Sequence, residues 1–595
     1  LENSLRFRSS ASAYLSRTPA TAGNRKTWTW SSWVKRGALG SIGELLGSNG
    51  STDNTNFAIE FNGDTVYIGV YNFVVLQSTA VFRDPSAWYH LVVTFDSTQS
   101  TAANRVQVYI NGVEITSWST DNRASITLNG DYGINNNTVH NIGRNPVLAS
   151  RYYDGYLTEV NLIDGQALTA SDFGDYNEDT GVWQPAKYTG TYGTNGFYLK
   201  GRGTDNSGNG NNFTETNFNT TNSALTTYDI MTDVPTLTDE DTANYAVLNP
   251  LNSVNIGTFS EANLKWAAAA AYSYAYSTIA IPEGTGKYIF DITFNSNTTT
   301  NNFNGGGLLI EGGSAGAYAR NVPIFPTAGA YGIVDNSGPY PRAYVQNGVT
   351  SGVITTGVGV NVQFLVDRGA NTIRFVKDGV LQTGTGSTVT IPATGNLYPF
   401  SYGYQTNNTV NFGQRPFKYT PPTGYKKLNT FNLPDSSIVD GSEHFASSLY
   451  TGTGASQTVT QTGAGFQPDL LWIKARSSAL THNLWDSARG LSKYLVSNTT
   501  AAEVDFGGNQ VALNSNGFGV GPLALMSTNG VTYVGWQWKA GGTAVSNTAG
   551  TIGTSQVSAN TTAGFSVGTY SGDGTNANKT VGHGLGVVPE MVIVK

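Results

Sequence analysis

Five histidines are the first side chains to weigh for chemistry: His90, His140, His444, His482 and His583. None stands three to five places from another, so the usual spacing of paired zinc ligands is missing. His90 follows Trp88 and Tyr89 in an apolar run and reads as a sheet residue. Gly564-Phe565-Ser566-Val567-Gly568 has the spacing of a nucleophile elbow. That motif needs a strand-to-helix turn in an α/β sheet, whereas here it falls in a strand-like run, so acyl chemistry is not expected. Gly284-Thr285-Gly286-Lys287 has the end of a phosphate loop, but Ile281 stands where its first glycine belongs. It reads as a turn before a strand.

Two constellations remain. Asp205, Ser207 and Asn209 place side-chain oxygens at alternate positions, with Gly210 after them, as in a calcium loop. The closing position holds Thr216, with Glu215 one place early, so the plain alternative is a polar turn. Calcium is the one cofactor to consider. The second constellation is aromatic: Tyr152, Tyr153, Tyr272, Tyr274 and Tyr276 could stack on sugar rings. The last three alternate, which puts them on one strand face, as a packing stripe would also require. Sugar hydrolysis would need two carboxylates in one cleft. No Glu-x-Asp-x-x-Glu stretch is present, Glu159 is flanked by Thr158 and Val160, and Asp239-Glu240-Asp241 reads as a solvated run. The chain is expected not to be an enzyme.

The composition suits binding by many short strands. Of 595 residues only 12% are charged, while 12% are aromatic and 71 are glycine. The length suggests roughly four domains. Net charge is −7 with no basic run, which disfavours nucleic acid. No apolar stretch reaches the length that spans a bilayer, so membrane insertion is not expected. Cysteine is absent, which excludes disulfides and thiolate metal sites.

Strand-length runs at Asn56–Phe61, Thr65–Tyr71, Trp88–Phe95 and Arg105–Ile110 are separated by Asn62-Gly63-Asp64, Asp84-Pro85 and Asn111-Gly112. Such turns between apolar runs predict hairpins of a sandwich. Thr27-Trp28-Thr29-Trp30 alternates, and the pattern shifts at Trp33. The ordered series Trp88–Asp96, Val108–Val113, Ile142–Arg144 and Tyr153–Val160 resembles the laminin-G/concanavalin-A-like jelly-roll family. From Ser4 to Leu199 the chain is similar to such modules in marine bacteriophage tail proteins. Residues 1–200 are therefore expected to be a jelly roll, and 201–240 a Gly/Asn/Thr-rich linker or the last loop of that domain.

Residues 241–427 run through Lys377-Asp378-Gly379-Val380, Leu397-Tyr398-Pro399-Phe400, Asn411-Phe412-Gly413 and Pro416-Phe417. This order resembles a SPRY domain, an interaction sandwich. Beyond it lies an internal repeat. Phe445–Gly454 recurs as Phe565–Gly574, and Gly463–Lys474 recurs as Gly584–Lys595 with one residue inserted between the blocks. Copy one is taken as 428–547 and copy two, incomplete, as 548–595. Their shared Phe, Tyr and apolar run are expected to be core. A half copy implies that the native polypeptide continues beyond residue 595.

The expected fold is all-β, with tandem jelly-roll and SPRY-like β-sandwiches. These resemblances together imply a structural virion protein of a phage tail fibre or appendage. Its partners would be copies of itself (a trimer by analogy with fibres), other tail or capsid proteins, and a host-surface glycan or protein. A bacterial surface or secreted adhesin is the alternative, and a carbohydrate-active enzyme stands third.

Overall fold

The computed structural model describes the chain except residues 178–180, 255–256, 269–272, 297–302, 311–329, 337–342, 347–348, 436–437, 464 and 576. It is all-β, a set of sheets antiparallel but for the pairing of Lys426–Lys427 with Lys287–Phe294, with 3-10 turns and one short α-helix, Ala524–Ser527, among the described residues. None of the described helices is long and apolar enough to cross a membrane. Its contacts define two units: Leu1–Asp175 with Trp183–Pro434, and Tyr176–Val182 with Asp435–Lys595.

The first unit opens with a sandwich of two eight-stranded sheets. One is centred on Thr27–Arg36, which pairs with Trp88–Asp96 on one side and Gly155–Asp164 on the other. The other sheet runs in spatial order Trp118–Asp121, Val74–Ser78, Thr65–Gly69, Phe57–Asn62, Gly43–Ser48, His140–Ile142, Tyr14–Arg17, Thr214–Thr216. Alternation explains the core between them. Trp28, Trp30 and Val34 point inward, where Trp28 stacks on Phe95 at 5.3 Å.

Trp33 has the opposite parity, and its strand runs through it without a bulge. The break in the sequence pattern has another cause: the outward face of this sheet is also buried. Trp33, Trp88 and Tyr156 share a second core with Tyr245, Leu264 and Trp266, which belong to the next sandwich. A strand buried on both faces loses its polar alternation.

That next sandwich pairs a seven-stranded sheet with a nine-stranded one. Asn361–Asp367 and Thr372–Lys377 form a hairpin in it, and Phe364 stacks on Phe290 at 4.7 Å. Residues 201–240, with the composition of a linker, contribute two short strands. Thr214–Thr216 joins one sheet of the first sandwich and Ile230–Met231 the other. Asp229 is buried there and accepts from Arg6 Nε at 3.1 Å and Arg8 Nε at 2.8 Å.

In the second unit, copy one of the repeat forms a six-stranded sheet facing a three-stranded one over Leu471, Ile473, Trp485 and Phe518. Of the apolar run, Leu471 and Ile473 are core there while Leu470 and Trp472 are half-buried; in copy two the corresponding Met591–Val594 joins no strand and is exposed, against the expectation. Phe445 is exposed as well, because the strand Phe445–Thr451 lies at the sheet edge. It packs on Trp538 with ring centroids 5.0 Å apart, and its repeat counterpart Phe565 packs on the same Trp538 at 6.0 Å.

Candidate functional site

The outward face of the second sheet of the first sandwich gathers the polar and aromatic side chains best placed to meet a ligand. Leu15 points into the core, so Tyr14 and Ser16 point out. Register sets Thr216 opposite Tyr14 and Thr214 opposite Ser16 on one side, and Asn141 opposite Ser16 on the other. Tyr14, Ser16, Thr214 and Thr216, with Arg17, Thr18 and Asn212, line an open cleft of about 490 Å³.

Arginine and tyrosine are interleaved at this cleft. Gly143, at φ 86°, turns the chain after the strand His140–Ile142 and brings in Arg144. A Cβ at Gly143 would fall 2.3 Å from Phe7, so only glycine fits. The Arg144 guanidinium lies 4.1 Å from the Tyr14 ring centroid. In the amide orientation that satisfies its neighbours, Asn141 donates to Ser16 Oγ at 2.9 Å and accepts from Arg144 Nε at 3.3 Å. Tyr152 packs beside Tyr14, with centroids 6.4 Å apart. Arg17 donates to Asn195 O at 3.2 Å and also to Asn211 Oδ1.

Farther along this sheet Glu44 and Glu60 are direct cross-strand partners. Glu60 accepts from Arg151 Nη1 at 3.0 Å, and Glu44 Oε2 accepts from Asn145 Nδ2 at 2.5 Å. Burial, then the nearby Glu60 charge, pushes the Glu44 carboxyl well above its ordinary range. Gly47 makes room for it: a Cβ there would sit 1.7 Å from Glu44 Oε1. This is a carboxylate pair that no spacing rule signals, since its members meet only through the register of two strands.

Of the tyrosines expected to stack on sugar, Tyr152 alone stands at this cleft, half-exposed. Tyr153 is buried, and its hydroxyl donates to Lys35 O at 2.7 Å. Tyr274 and Tyr276 are buried against Phe400 and, for Tyr274, Tyr402. Their alternation is that of a packing stripe, and neither ring offers a face to a ligand. Tyr272 lies outside the described residues. Tyr14, Ser16 and Arg17 carry no motif beyond the alternation Tyr14-Leu15-Ser16, and Arg144 ends the Ile142–Arg144 stretch of the jelly-roll series, which assigns it no role.

Asp205, Ser207 and Asn209 form a closed turn. The Asp205 carboxylate accepts from the backbone N–H groups of Tyr198, Ser207 and Asn211 at 2.7–2.9 Å, and from Ser207 Oγ at 2.9 Å. Asn209 donates to Gly193 O and Gly196 O. A cation here would have to displace those donors. Among the described residues no three His, Cys, Asp or Glu side chains cluster as metal ligands.

A serine–histidine pair does exist, but it is set for packing. Ser31 Oγ lies 2.9 Å from His90 Nε2. Trp183 Nε1 donates to His90 Nδ1 at 2.9 Å, which leaves the ring proton on Nε2, pointing at Ser31. Burial lowers the His90 pKa to about 3. A base that already carries its proton toward the hydroxyl cannot activate it. Ser566, of the G-x-S-x-G stretch, lies on a hairpin strand opposite Ala559 and not on an elbow.

Residues 9–172 match the model of the concanavalin A-like lectin/glucanases superfamily, and residues 440–595 match a domain of unknown function, DUF7483. The first sandwich is thus a lectin-like jelly roll. The chain is similar to the SPRY domain of human HERC1, with 12% identity over 28% of this chain and 96% of that one, at a TM-score of 0.20. It is also similar to the heptameric SAP-like pentraxin of Limulus polyphemus, with 16% identity over 28% of this chain and 78% of that one, at a TM-score of 0.21. No curated protein matches it.

Proposed function

We propose that the chain binds carbohydrate on a surface through the Tyr14 cleft of its jelly roll, and that it serves as a bacteriophage tail-fibre or appendage protein. The observation that carries the binding reading is the cleft itself. Hydroxyls, the Asn212 amide, Arg17 and the half-exposed Tyr14 ring line one cleft, within a domain whose sequence matches a lectin/glucanase superfamily. Rings supply a flat apolar surface for a sugar face, while the polar groups take its hydroxyls. The virion reading rests on the resemblance of the modules to those of phage tails and on their tandem arrangement.

Binding of the full chain to a panel of immobilised bacterial surface polysaccharides tests the first part. Binding to at least one, lost on Tyr152→Ala and Ser16→Ala together, is the expected result. No binding across the panel rejects it. Mass spectrometry of purified virions tests the second part, and virions lacking the chain reject that role in favour of an adhesin.

A further inference from the structure

At the Tyr14 cleft Arg144 is a cation that no neighbouring carboxylate among the described residues pairs. Arg144 reaches an uncharged acceptor, the Asn141 amide oxygen, and rests on the Tyr14 ring. Arg17 likewise donates to amide oxygens, those of Asn195 and Asn211. Among the described residues neither arginine has a carboxylate within ion-pair distance. The acids nearby are committed elsewhere. Glu60 pairs with Arg151 at 3.0 Å and Glu215 with Arg202 at 3.0 Å. Asp164 and Asp205 act on Arg17 at longer range and offset its charge, which leaves Arg144 as the cation without an acidic partner. Glu44 is wholly buried and driven toward its neutral form.

Within this frame Tyr14 is better suited to hold Arg144 than to stack a sugar, because the guanidinium covers its face. A guanidinium fixed by a ring and an amide keeps free N–H groups in a planar fork, the geometry that takes two oxygens of one anionic group. Hydroxyls of Ser16, Thr214 and Thr216 lie alongside for the neutral hydroxyls of the same sugar.

We propose that the Tyr14 cleft is specific for an acidic glycan, a polysaccharide bearing carboxylate or sulfate groups, with Arg144 as the residue that reads the anion. This rests on the carbohydrate-binding reading above and names its ligand class.

Two matched pairs of probes test it by calorimetry with the full chain: oligogalacturonate against its methyl ester, and a sulfated carrageenan oligosaccharide against its desulfated form. At least one acidic member should bind about tenfold or more tightly than its neutral partner, and more weakly as salt rises. Arg144→Gln should bring the ratio of acidic to neutral affinity down to about one, and Arg144→Lys should restore part of it. Equal binding within both pairs overturns the inference and leaves the carbohydrate reading standing. An acidic preference that survives Arg144→Gln overturns the role of Arg144. Absence of binding by all four probes, with binding to other, neutral polysaccharides of the panel, also overturns it; absence of binding to any glycan removes both.

Discussion

Lys35 and Asp233 form an ion pair 2.7 Å long whose side chains are both fully buried. The same ammonium donates to Asn244 Oδ1 at 2.7 Å and Tyr245 O at 2.8 Å, and Trp88 Nε1 donates to Asp233 Oδ1 at 3.0 Å. Burial raises the Asp233 carboxyl and lowers the Lys35 ammonium, and each is pulled back by the other. The pair therefore ties the first sandwich to the chain that enters the second. Removing one partner strands a charge, so Asp233→Ala should cost about 3–5 kcal/mol in guanidinium unfolding. Lys35→Met with Asp233→Leu removes both charges and should recover most of that loss. A single-variant cost below about 1 kcal/mol would show that water already reaches the pair.

Asp291 supplies a pH dependence. It lies between Gln363 and Asn411 on neighbouring strands, fully buried. Burial lifts its pKa to about 6, against the opposing pull of Arg415 and Lys418. A folded pKa above the unfolded one means that stability is fully present below about pH 4 and is lost as pH rises through about 6. The size of the shift corresponds to about 3 kcal/mol. Denaturant midpoints between pH 4.5 and 8 should fall for the native chain, and Asp291→Asn should remove this contribution and be the more stable form above pH 7. An unchanged pH profile in the variant would assign the loss to other groups.

Some of this architecture is legible in the sequence and some is not, for physical reasons. Asn111-Gly112 and Asp378-Gly379 mark hairpins because both residues of each pair take positive φ, 48° and 83° in the first, 45° and 82° in the second. The strands around Trp28 and Trp30 are legible because one face is core. Trp33 misleads, since a second sandwich covers the other face and no local pattern announces it. Residues 201–240 look like a linker because short edge strands need few apolar residues; what fixes them is buried charge, at Asp229 and Asp233. Phe445 recurs in the repeat like a core residue, yet it is exposed at a sheet edge and meets a half-buried ring, Trp538. The Tyr14 cleft and the Glu44–Glu60 pair are invisible for a related reason. Their members are distant in sequence and are joined by register alone, which a one-residue slip would destroy.

The Ser31–His90 pair should be chemically silent. A fluorophosphonate probe labels serines activated by a base, and here the base donates to the hydroxyl. The full chain should take up no label at Ser31 by peptide mapping, at any pH between 5 and 9. Labelling that His90→Gln abolishes would show that the ring adopts the other tautomer and that Trp183 does not hold it.

The Asp205 turn gives a test of calcium against hydrogen bonds. Its carboxylate already accepts three backbone N–H groups and one hydroxyl, and Asn209 and Asn211 stitch the turn to Gly196 O. A calcium ion needs six to eight oxygens, and here one carboxylate stands beside amides whose oxygens face inward bonds or solvent. Millimolar calcium should therefore leave the melting temperature of the full chain unchanged and release no binding heat. Asp205→Ala should lower stability by about 2 kcal/mol, because three buried or half-buried N–H groups lose a charged acceptor at once. Asp205→Asn, which keeps one acceptor oxygen, should fall between the two. If calcium instead raised the melting temperature of the native chain but not of Asp205→Ala, the turn would have to open its N–H bonds to the ion, and the stabilisation now assigned to those bonds would belong to calcium.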